Sequence, residues 1–153
     1  MKSTLFRIGL LAAVAAPALA QDSTRQAPRS TLTGVYTTEQ ANRGKNVFLG
    51  SCKSCHAPES HVGANFSRLW VGKPLLALFK YVSEGMPEND PGSLGAEANA
   101  DVVAYLLQLN GMPTGGVELA PDSTVMRQIL VEPKPAAPPT HHQTRLVPKR
   151  IHE

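Results

Sequence analysis

The 153-residue sequence predicts an all-α fold of three main helices, and three observations lead to that expectation. Apolar residues recur at helical spacing in three segments. Each segment is bounded by residues that start or stop helices: Thr37 and Gly50, Pro74 and Gly85, Gly95 and Asn110-Gly111. The only two cysteines, Cys52 and Cys55, stand too close together to staple a fold, so a small helical domain has to complete its core by other means.

At the start, Lys2 and Arg7 precede an apolar run from Ile8 to Ala20 that ends in Ala18-Leu19-Ala20, a small-residue cleavage pattern. A membrane helix needs roughly 17–25 residues, which this run does not reach. Residues 1–20 therefore read as a signal peptide, and the mature chain is expected to be soluble and exported, in the periplasm or beyond. Residues 21–34 are polar, hold Pro28 and Gly34, and read as a flexible leader.

The ordered domain is expected over 35–125. In its first helix Thr37 and Gln40 stand at capping-box spacing, Ala41, Gly44 and Phe48 share a face, and Gly50 closes the element. The second starts at Pro74 and carries the apolar stripe Leu75, Leu78, Phe79 and Val82 up to Gly85. A third follows Gly95, with Ala98, Val102, Tyr105, Leu106 and Leu109 facing inward, and stops at Asn110-Gly111 before Pro113. Residues 126–153 read as a basic, Pro-rich tail, and the stretch from Val131 onward has a composition that buries no apolar face. No internal repeat is visible, which argues against a solenoid or a tandem of two sites.

The formal charge of +3 suggests a nucleic-acid partner only until the charges are located. Residues 21–130 hold nine basic and ten acidic side chains, and the excess lies in the signal segment and the tail. No polyanion-binding surface is expected.

Cys52-Lys53-Ser54-Cys55-His56 is C-x-x-C-H, the attachment sequence of c-type haem. Two thiols on one turn can each form a thioether with one of the two haem vinyl groups, and the adjacent imidazole of His56 then meets the iron. Two other readings of the pair are a thioredoxin-like redox motif, which expects a βαβ setting, and a structural zinc site, which needs a second ligand pair. His61 and the tail histidines are the only later candidates for that pair. For the sixth iron position Met86 is the candidate: it follows the second helix in a loop stiffened by Gly85, Pro87 and Pro91, and a soft neutral thioether favours reduced iron. Met112, just after the third helix, is its rival and reads as hydrophobic packing.

With these motifs in view, the chain resembles a small class I monohaem cytochrome c over residues 35 to about 113, through C-x-x-C-H, Met86-Pro87 and the helix from Ala100 to Gly111. The resemblance implies the cytochrome c fold, in which the first and last helices cross closely. Gly44 and Phe48 match the first helix of that crossing, and Val102 and Tyr105 the last. It also implies that a carbonyl in Val62-Gly63-Ala64-Asn65-Phe66 accepts a hydrogen bond from the proximal imidazole, with Ala64 standing where the family has Pro. Trp70 and Tyr81 would serve as donors to the haem propionates, and Lys53, Lys73, Lys80, Arg43, Lys45 and Arg68 as a docking surface. The run from Met86 to Leu94 is similar to cytochrome subunits that accompany periplasmic dehydrogenases.

The function expected from the sequence is single-electron transfer by one haem c, covalent through Cys52 and Cys55 and ligated by His56 and Met86. Its partners would be redox proteins, a periplasmic dehydrogenase and a respiratory acceptor, and the chain reads as a carrier or subunit more than as an enzyme. The alternative is a haem sensor or enzyme with a labile sixth position. His61, the one nearby acid or base, reads as a surface loop residue, and His141, His142 and His152 in the tail as linker or as a contact for metal or partner.

Overall fold

The computed structural model describes residues 29–135. Residues 1–28, where the signal peptide and most of the leader are expected, and the histidine-bearing stretch from residue 136 lie outside these described residues. The chain runs β1 (Arg29–Ser30), a 3-10 turn, α1 (Thr38–Ser51), a second 3-10 turn (Pro58–His61), α2 (Ala64–Trp70), α3 (Leu75–Gly85), α4 (Ala96–Leu109), α5 (Ser123–Arg127) and β2 (Ile129–Leu130). It is the all-α cytochrome c fold, with one two-residue parallel strand pair added.

Helix α1 starts as its cap requires: the Thr37 hydroxyl accepts the Gln40 N–H at 3.1 Å, and Glu39 lies in the first turn, where negative charge suits the helix dipole. The helix runs one residue past Gly50, which has open space around it. Its buried face, Gln40, Ala41, Gly44 and Phe48, meets α4, and this is the most extensive contact between two elements. Gly44 sits so close to the Asp101 backbone that a Cβ there would collide with the Asp101 carbonyl oxygen. One turn on, the Phe48 and Tyr105 rings meet edge to face with centroids 5.5 Å apart, a favoured aromatic geometry. At the solvent edge Arg43 holds Asp101 through two bonds of 3.0 Å and reaches Glu118 at 2.9 Å. Helix α4 is buried without interruption from Asn99 to Leu107, because α1 covers one side and α3 another.

Two expectations are corrected. The segment 29–34 belongs to the packed structure: Arg29 and Ser30 pair with Ile129 and Leu130, and Thr31 is buried. The packed chain also continues beyond residue 125. Met126, Ile129 and Val131 are fully buried, Val131 exchanges backbone hydrogen bonds with Gly72 and Lys73, and Asp122 caps α5 by accepting from the Thr124 and Val125 N–H groups. Helices α2 and α5 were not expected. Both are short, seven and five residues, and too brief to show a periodic stripe.

The closing segment after α4 is tied down by polar groups. Tyr36 Oη donates to the Met112 carbonyl at 2.6 Å, and burial pushes the phenol pKa up to about 12. The buried Gln40 amide donates to the Leu119 carbonyl at 2.9 Å and accepts the Leu119 N–H at 2.7 Å. Ser30 and Glu132 side chains also bond across the two ends of the described chain.

Candidate functional site

The C-x-x-C-H run continues the last turn of α1. Cys52 and Lys53 N–H groups both donate to the Phe48 carbonyl at 2.9 Å, and the His56 N–H donates to the Cys52 carbonyl at 2.9 Å. This winding brings Cys52, Cys55 and His56 to the edge of one cavity of about 710 Å³. Cys52 is half-buried and Cys55 exposed, and the two form no disulfide; burial pushes the Cys52 thiol pKa up. The pair ends a helix within a helical chain, not the βαβ setting of a thioredoxin-like motif.

The cavity walls are apolar: Phe48 from α1, Phe66 from α2, Leu78 and Val82 from α3, and Val102 and Leu106 from α4. Met86 reaches the same cavity from the loop after α3, where its N–H still caps the helix by donating to the Val82 carbonyl at 3.2 Å. Met112 does not line this cavity; it is buried behind α4 and borders a separate pocket with Gly63 and Lys134. A space in the usual size range for a cofactor, walled by hydrocarbon and edged by two thiols, an imidazole and a thioether, fits haem c.

Trp70 and Tyr81 stand at the rim with ring centroids 5.5 Å apart, and the Lys73 ammonium lies 5.7 Å from the centre of the Trp70 ring. All three line the cavity, so they can meet the polar edge of a bound haem. The expected docking surface is narrower than its list of cations. Arg43 is committed to Asp101 and Glu118, and Lys80 pairs with Glu84 at 3.3 Å, whereas Lys73 stands at the rim.

His61 is the functional residue that sequence reasoning misplaced. It is half-buried and lines the cavity, its ring 5.1 Å from the His56 ring and 5.8 Å from that of Phe48. Asn110 explains the placement: its Nδ2 donates to the His61 carbonyl at 2.9 Å and its Oδ1 accepts the Gly63 N–H at 3.0 Å, folding the turn back over α4. Burial, and next the charge of His56, hold the His61 pKa below the ordinary imidazole range. The long-range bonds from Asn110 fix the turn that carries His61, and spacing from His56 carries no sign of them.

Residues 39–106 match the family model described as cytochrome C oxidase, cbb3-type, subunit III. The matched segment runs from the first turn of α1 into the last turn of α4, and so contains the C-x-x-C-H run, His61, Met86 and most of the cavity wall. No curated protein and no solved structure matches the chain.

Proposed function

We propose, on the premise that residues 39–106 are a cytochrome c domain carrying one covalent haem c on Cys52 and Cys55, that this protein transfers single electrons with His56 and Met86 as the axial ligands. Bound haem supplies an iron that alternates between ferrous and ferric states. The chain supplies attachment, ligation and a low-dielectric wall. The reading is supported by the convergence on one cavity of the turn after α1 and the loop after α3. His56 sits on a turn that grows out of a capped helix, and Met86 on a residue that caps another, so both donors are held by backbone hydrogen bonds. Such fixed donors suit a carrier, which needs little rearrangement between oxidation states.

The partner is a redox protein, and we assign the donor side to a periplasmic dehydrogenase, with the chain exported before use. Two features support these assignments: the sequence similarity around Met86 to Leu94 and the charged, small-residue pattern of residues 1–20. No helix among the described residues is long and apolar enough to cross a membrane.

Replacing Met86 tests the ligation. The unmodified ferric protein is expected to show the weak red charge-transfer band of a methionine-ligated haem and to resist carbon monoxide when reduced. In Met86→Ala the band disappears, carbon monoxide binds and the reduction potential falls, since the soft ligand that favours ferrous iron is gone. Rapid carbon monoxide binding by the unmodified protein would favour the sensor or enzyme alternative.

A further inference from the structure

His61 presents an unexplained atom. Its Nε2 is shielded from solvent and has no hydrogen-bond partner, although buried polar atoms are paired in the great majority of cases. The ring lines a large open cavity, yet this nitrogen is not reached from it, so protein atoms cover it. The two rings packed against His61 are Phe48, which carries no N–H or O–H, and His56, which does. Asn110 is not available, because its amide is spent on the His61 carbonyl, the Leu106 carbonyl and the Gly63 N–H.

A histidine that binds a metal nearly always donates its other ring N–H to an acceptor, which fixes the ring and raises its basicity. Two backbone acceptors of the segment after His61 already serve α2. The Gly63 carbonyl accepts the Ser67 N–H at 2.9 Å, and Ala64 is the first residue of α2, where a carbonyl is directed into the helix's own ladder. The His56 and His61 ring centres are 5.1 Å apart with planes at 62°. A hydrogen bond spans about 3 Å between heavy atoms, and the two ring radii take up the remainder, so this ring separation is the one such a bond needs.

We propose that His61 is the positioning residue for His56: its Nε2 accepts the N–H of the His56 ring nitrogen turned away from the iron, orienting that imidazole in the haem-loaded protein. The assignment rests on His56 being the proximal ligand. It moves the orienting acceptor from the backbone carbonyl suggested by sequence resemblance to a side chain. The His61 main chain is already clamped by Asn110, so the acceptor is presented from a rigid turn and not from a mobile loop.

The test uses the mature, haem-loaded protein with 15N-labelled histidine, reduced to its diamagnetic ferrous state. A 15N–15N coupling across the hydrogen bond is expected between His56 and His61, with Nε2 of His61 carrying no proton of its own. In His61→Leu the coupling is lost and the reduction potential shifts upward, because an imidazole without its acceptor is a poorer donor to ferric iron. His61→Gln, which keeps an acceptor, returns the potential toward that of the unmodified protein. A protonated His61 Nε2, or intact His56 ligation with no coupling, overturns the proposal while leaving the electron-transfer reading in place. Absence of His56 ligation from the unmodified protein's spectra overturns that reading and this proposal together.

Discussion

The α1/α4 crossing and the closing segment from Met112 to Val131 both seal the domain, but by different physics. At the crossing, shape does the work: Gly44 lets two backbones touch, and Phe48 and Tyr105 lock the next turn. In the closing segment, polar bonds to the chain ends and to α1 place a few isolated apolar residues, among them Leu119, Met126 and Ile129. Close packing tolerates no added atom, whereas a strap is removable in parts. The crossing therefore bounds the cavity that carries the chemistry, whereas the strap packs on α3 and contributes nothing to the cavity lining.

The largest expected effect breaks the crossing. Gly44→Val should destabilise the haem-loaded protein by about 4 kcal/mol or prevent its folding, because a backbone collision cannot relax through a side-chain rotation. Denaturant unfolding measures it, and Gly50→Ala is the control. That position has open space, so the alanine should be neutral or stabilising by about 0.5–1 kcal/mol.

Met126→Ala tests the strap and should cost about 3 kcal/mol, the usual price of a buried methionine cavity. Haem attachment should survive, since the thioether positions lie on the turn after α1. Equal losses of haem content and stability would show that strap and cavity are one unit.

The smallest effect lies where the two regions join, at Tyr36. Removing its hydroxyl in Tyr36→Phe leaves the Met112 carbonyl without that donor and should cost about 1–2 kcal/mol. Its pH dependence follows from the raised pKa. The folded phenol holds its proton to about pH 12 and the unfolded one to about 10, so its contribution is complete below 10 and is lost as pH rises through that window. Unfolding midpoints between pH 9 and 12 should fall more steeply in the unmodified protein than in Tyr36→Phe.

The three long helices were readable because each carries a local stop signal and a full apolar face, and the Thr37 cap forms as its spacing suggested. The closing segment was not, because its burial comes from partners far away in sequence. Met126 and Ile129 are two apolar residues in a polar, Pro-flanked stretch, and the strand pairing that fixes Ile129 is with Arg29, a hundred positions earlier. The same separation hid His61, which depends on Asn110.

Sequence alone determined the haem attachment, because two thiols and an imidazole on one turn are a local matter of spacing, and it determined the helices that wall the cavity through their periodicity. Tertiary structure decided where the domain ends, which methionine borders the cavity and which way His61 faces. Those outcomes are set by contacts between distant segments, and a residue's immediate neighbours do not encode the partner that the fold will bring to it.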